Sequence, residues 1–143
     1  MGAIGEEGAR VVNDRVMAYA DPSAVAEVEA AERAELERRV AEWRSGAAPV
    51  PLTSRTVVIV DDGIATGATA AVAAHVARAR GAAYVVIAVP VAPAGAAETL
   101  RAAADEVIVA LAPSNFAAVG QWYVDFSPTS NDEVTRLLGR WRS

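Results

Sequence analysis

The apolar positions of the chain gather into three short continuous runs with helical patterns between them. Thr56–Val60, Tyr84–Val89 and Glu106–Leu111 are rich in Val and Ile and bounded by turn residues, so each predicts a β-strand. Between the first two, small apolar residues from Thr66 or Gly67 to Arg80 predict a helix that Gly81 closes. Between the second and third, Ala94–Ala104 predicts another. Strand, helix, strand, helix, strand is the order of an α/β fold with a parallel sheet flanked by helices. The runs are continuous rather than alternating, which predicts strands covered on both faces.

The flanks are read the same way. The opening MGAIGEEGARVV predicts a loop with one short strand around Ala9–Val12. Asp21–Pro22 predicts a helix start, a capping aspartate followed by proline at the first helical position. From there to Arg44, Val25, Val28, Leu36, Val40 and Trp43 mark one side at helical spacing, and Glu29–Arg33 and Glu35–Arg39 pair along the wet side. Gly46 ends that helix, and Ala47–Arg55, with Pro49 and Pro51, is a connector. After the third strand come a loop, Ala112–Ser130, and a last helix that Asn131 caps and that runs to about Trp141.

Composition narrows the function. With 143 residues, 53% hydrophobic and 22% charged, the chain predicts a single domain over residues 1–143 that buries a core. A net charge of −5 argues against a nucleic-acid binder that works by neutralising phosphates. The absence of cysteine removes disulfides and thiolate metal sites and makes a reducing cytoplasm the default compartment. Glu6, Glu7 and Arg10 come too early for a signal peptide, and Pro90 and Pro93 interrupt the longest uncharged apolar stretch, so no membrane span is expected.

The chemistry concentrates in VVIVDDGIATGAT, Val57 to Thr69. Ligands of open parallel sheets bind at the carboxyl ends of strands, where Asp61 and Asp62 fall. The segment that follows leads into a helix whose first amides have no intrahelical partner and whose dipole is positive there. Gly63, Ala65, Gly67 and Ala68 let an anion approach the backbone, and Thr66 and Thr69 add hydroxyls. A phosphate on the loop and hydroxyls on the carboxylates describe a ribose 5-phosphate. A P-loop is excluded because the chain has no lysine, and the glycine spacing does not fit a dinucleotide fingerprint.

These residues resemble the phosphoribosyl-pyrophosphate signature of the type I phosphoribosyltransferases: an apolar run, two acids, then a T-G-x-T loop. GAIGEEGARVVN near the start and NFAAVGQWYVDFSPTSNDEV near the end are similar to segments of a bacterial group of phosphoribosyltransferase-like proteins, so the likeness covers nearly the whole chain. The resemblance implies a Rossmann-like parallel sheet and transfer of a phosphoribosyl group to a nitrogenous acceptor, with release of pyrophosphate and Mg²⁺ bound with the substrate. Asp61 and Asp62 would hold the ribose hydroxyls, with the Mg²⁺ near them through the substrate, and Ala65, Thr66, Gly67, Ala68 and Thr69 would hold the 5′-phosphate. Phe116, Val119 and Trp122, in the aromatic-rich loop after the last strand, are the candidates for the acceptor pocket.

Two departures qualify the resemblance. Ala65 stands where some purine-salvage members carry a third acid, so proton handling at the acceptor comes from elsewhere or is not needed. Set against the resemblance, the chain looks like a family member without the N-terminal strands and pyrophosphate loop, which are expected to be lacking upstream of the GAIGE segment. The chain is therefore expected to bind phosphoribosyl pyrophosphate or a nucleotide 5′-phosphate but to transfer slowly or not at all. The alternative is a non-catalytic regulatory module that uses the same pocket. The sheet edge left by the missing strands is expected to pair with a second copy or a partner's strand. His75, the lone histidine, reads as a surface or packing residue. Asp105 and Glu106 read as a solvated turn, and Arg55, Arg78 and Arg80 as a solvated face more readily than as phosphate ligands.

Overall fold

The computed structural model describes residues 2–12, 17–44 and 46–139. In chain order the elements are β1 (Gly2–Ile4), β2 (Arg10–Val12), α1 (Pro22–Arg44), β3 (Thr56–Val60), α2 (Ala68–Ala79), β4 (Tyr84–Val91), α3 (Ala96–Leu100), β5 (Glu106–Leu111) and α4 (Asn131–Gly139). The strands β3, β4 and β5 form a parallel sheet in that order. Register partners such as Val57, Val85 and Ile59, Ile87 share one face of it. Val85, Ile87 and Val89 of that face join Ala70, Ala74 and Ala77 of α2 and Leu100 of α3 in a single core. Val85 and Ile87 are fully buried, which stabilises the fold by about 1.5–3 kcal/mol each. The inner side of α2 is alanine, so the helix backbone lies close against the sheet.

A small antiparallel hairpin of β1 and β2 covers the outer side of α2. A Cβ at Gly5 would lie 2.4 Å from Val72 Cγ1, so glycine is what lets the hairpin approach. The sequence predicts a loop with one strand here. The second strand escapes notice because the reversal runs through Glu7 in the left-handed region, at φ 58°, where glutamate is uncommon. The long helix α1 begins at Asp21, whose Oδ1 accepts the Ser23 amide at 2.9 Å. It packs near α4 and β1 and is tied to the hairpin by Arg44–Glu6 (2.6 Å) and Arg10–Glu29 ion pairs.

The other face of the sheet departs from expectation. Val58, Val60, Tyr84 and Ile108 of that face are 56%, 74%, 41% and 49% exposed. The core places α2 and α3 on the same side, and α1 lies elsewhere, so burial along β3 alternates instead of running through. Smaller differences concern boundaries. β4 continues through Pro90 to Val91, since β5 pairing resumes on both sides of the missing amide. α3 is limited to Ala96–Leu100. The last helix is capped by Ser130, whose Oγ accepts the Glu133 amide at 3.3 Å, rather than by Asn131. Trp141 lies outside the described residues. No described helix is long and apolar enough to cross a membrane.

Asp105 is structural rather than a solvated turn residue. Its Oδ2 accepts the Val85 amide at 2.6 Å and pairs with Arg78, joining α2, β4 and the entry to β5. The Val85 amide first, and Arg78 second, hold its carboxyl below the ordinary value of 3.8. A depressed folded-state pKa stabilises the fold above that ordinary value and loses the contribution as pH falls below it. Asp105→Asn is therefore expected to lower the thermal midpoint at pH 7. The gap between variant and parent should close in melts below pH 3.8.

Candidate functional site

The site is built where β3 hands over to α2. Asp61 and Asp62 follow the last residue of β3 directly. Ile64 then turns inward, 3% exposed, and its amide donates to Val91 O at 3.0 Å. That bond adds a rung to the end of β4 and pins the loop over the sheet. Ala65 and Thr66, next along, are exposed. Gly67 adopts φ 78°, and the Ala71 amide donates to Gly67 O at 2.9 Å, which opens α2. A side chain at Gly67 would be strained by that φ and would fall 3.2 Å from Leu100 Cδ2.

This geometry leaves a row of donors unused. The amides of Ala65, Thr66, Gly67, Thr69 and Ala70 have no acceptor among the described residues, and the Ala68 amide reaches Thr66 Oγ1 only at 3.5 Å. Successive free amides at a helix N-terminus form a concave seat for an anion. A cleft of about 300 Å³ opens beside them, bounded by Ile64–Gly67 on one side and Pro93–Ala96 on the other. The arginines of α2 and its end are engaged elsewhere. Arg78 is held by Asp105 and Ala83 O, and Arg80 by Val50 O at 2.9 Å and Glu7 at 3.6 Å. Both belong to the scaffold.

The two acids are held differently. Asp61 is half-buried and its Oδ1 accepts the Asp62 amide at 3.0 Å. Asp62 is exposed, and its carbonyl oxygen accepts the Tyr123 hydroxyl at 2.5 Å. The loop after β5 thus folds back onto the acids. Val119 packs on Gly63, where a Cβ would fall 2.7 Å from Val119 Cγ1 and 3.0 Å from Val91 Cγ1. Trp122 belongs to the same short turn, and its indole N–H is buried without an acceptor among the described residues. Phe116 is half-buried nearer β5. Gln121 organises the loop, its Oε1 accepting the amides of Ala117 and Ala118 at 3.0 Å each. Sequence reasoning misses Ile64, Gln121 and Tyr123. Tyr123 lies within the aromatic cluster, but its contact with Asp62 spans the chain and leaves no local signal.

His75 is exposed on α2, away from the loop. No cluster of three metal-ligating side chains occurs among the described residues. A Mg²⁺ bound with a substrate needs only one or two carboxylates, the substrate supplying further oxygens, and Asp61 and Asp62 have that chemistry.

No family model matches the chain. Two proteins of Mycobacterium tuberculosis, from strains CDC 1551 / Oshkosh and ATCC 25618 / H37Rv, are each 50% identical to it over 141 residues, and each bears the name "Putative phosphoribosyl transferase". The chain is similar to these two proteins along nearly its whole length. The match takes in 97% of the chain and 32% of each relative, so the chain spans about a third of their length. The crystal structure of TT1426 from Thermus thermophilus superposes with a TM-score of 0.76 at 39% identity, over 98% of this chain and 67% of that one. The chain thus shares its α/β fold with a solved structure.

Gly67→Ala tests the seat's backbone. The left-handed φ and the Leu100 contact should together destabilise the protein by about 1–2 kcal/mol or more in urea unfolding. An unchanged midpoint would contradict the described loop.

Proposed function

We propose that this site binds phosphoribosyl pyrophosphate or a nucleotide 5′-phosphate in the manner of a type I phosphoribosyltransferase, and that the protein transfers the phosphoribosyl group to a nitrogenous acceptor. The observation that carries the proposal is one junction holding both free amides, at Ala65–Ala70, and tandem carboxylates, Asp61 and Asp62. The amides, with the Thr66 and Thr69 hydroxyls, take the 5′-phosphate. Asp61 and Asp62 accept hydrogen bonds from the ribose hydroxyls. In the reaction the bond from C1′ to pyrophosphate breaks, the acceptor nitrogen bonds to C1′, and the acceptor loses a proton. The sugar gains positive charge on the way, which neighbouring carboxylates stabilise. Binding of the remote phosphate fixes the sugar's position against the acceptor. Asp61 and Asp62 would hold a Mg²⁺ bound with the substrate, which would supply charge neutralisation for the pyrophosphate. Phe116, Val119 and Trp122 are proposed to border the acceptor, where aromatic faces can stack on a heterocycle. The lack of cysteine supports a cytoplasmic setting.

A second reading, a binding module without turnover, uses the same residues and is separated by the same experiment. Changing Asp61 and Asp62 together to Asn should leave inorganic phosphate binding within about twofold while weakening ribose 5-phosphate by about tenfold or more, since two charge-assisted hydrogen bonds are lost. In an enzyme, transfer collapses with them; in a sensor there is no transfer to lose. Equal losses for both ligands in calorimetry would overturn the assignment of the acids to the sugar.

The edge of β3, unpaired among the described residues, and the exposed apolar residues of the sheet support the further proposal that the chain associates with a second copy or with a partner's strand. Small-angle scattering of the chain at rising concentration should report a particle larger than one copy. A monomer throughout would count against it.

A further inference from the structure

The loop after β5 grips the acid pair from above. The Tyr123 hydroxyl donates to Asp62 O at 2.5 Å, while the Asp62 amide donates to Asp61 Oδ1 at 3.0 Å. Both peptide groups flanking the Asp62 Cα are therefore fixed, and the direction in which its side chain leaves the backbone is fixed with them. Its carboxylate makes no hydrogen bond or ion pair of its own among the described residues, so it is free for a ligand. One residue further on, Val119 presses on Gly63 so closely that no side chain could stand there. One hydrogen bond and one steric contact thus hold consecutive residues of the acid loop.

The gripping loop is itself rigid. The Tyr123 ring meets Phe126 at 5.2 Å between centroids, tilted by 44°. A Cβ at Gly120 would lie 2.8 Å from Phe126 Cδ1, so the turn sits directly on that ring. Gln121 fastens the preceding backbone through Ala117 and Ala118. Tyr123 is half-buried, and its hydroxyl is directed at the acid loop.

We propose that Tyr123 is a positioning residue: its hydroxyl sets the orientation of the Asp62 carboxylate and so tunes the grip on sugar hydroxyls, without touching the phosphate seat. This inference rests on the ribose-phosphate reading of the site. Tyr123→Phe removes the hydroxyl and keeps the ring packing. Calorimetry of the variant should show ribose 5-phosphate weakened about three- to tenfold, the loss of one hydrogen bond, with inorganic phosphate within about twofold of the parent. Both affinities equal to the parent's would overturn the positioning role and leave the phosphate seat standing. Equal losses for both ligands, together with a lower melting temperature, would overturn it too, by showing a merely structural contact. A parent protein that binds neither ligand would remove the site reading and this inference with it. Should Tyr123→Phe fold poorly, the parent protein tests the role by NMR: ribose 5-phosphate should shift the Asp62 and Gly63 amides while inorganic phosphate leaves them unmoved, and equal shifts with both ligands would overturn it.

Discussion

A single backbone hydrogen bond, from the Ile64 amide to Val91 O at 3.0 Å, governs the arrangement of the candidate site. Pairing between β3 and β4 runs to Val60 and Ala88, yet β4 itself continues to Val91. The overhang offers one carbonyl beyond the end of β3, and Ile64 uses it while burying its side chain in the core. With Ile64 anchored, the residues before it must turn at the strand end and those after it must climb over the sheet edge into α2. The acids therefore stand on one side of the anchor and the free amides on the other. Gly67 completes the climb because glycine takes its left-handed conformation without strain and leaves room for Leu100.

Charge explains what such a junction would accept. The chain has no lysine and a net charge of −5, and Arg78 and Arg80 are committed to the scaffold. Attraction for an anion comes from backbone dipoles, with two carboxylates close by. A phosphate placed about 4 Å from a carboxylate would be repelled by about 4 kcal/mol in surroundings of intermediate polarity. A ligand that keeps its phosphate on the amides and turns neutral hydroxyls towards the acids avoids that repulsion. A sugar phosphate has this layout, whereas a compact polyanion does not.

Much of this is legible in the sequence where local chemistry decides. Thr56–Val60 and Glu106–Leu111 are delimited by turn residues, and Pro22–Arg44 by Asp21 and Gly46, so their bounds can be read directly. The acids and the glycine-bearing loop fall at a strand-to-helix junction because their spacing allows little else. What cannot be read depends on distant partners. The β1–β2 hairpin turns through a glutamate in a glycine-like conformation. Val58 and Val60 have the same letters whether an element covers them or not. Asp105 reaches Val85, and Tyr123 reaches Asp62, across separations that no periodicity records.

The central claim is that the free amides after Ile64 form the anion seat. Titration of ribose 5-phosphate into uniformly ¹⁵N-labelled protein, followed amide by amide in NMR spectra, tests it directly. The account predicts the largest saturable shifts at Ala65, Thr66, Gly67 and Thr69, with smaller ones at Asp61 and Asp62. Silence at those amides, or shifts confined to the cleft between the hairpin and α1 around Gly2, Val25 and Val28, would contradict it.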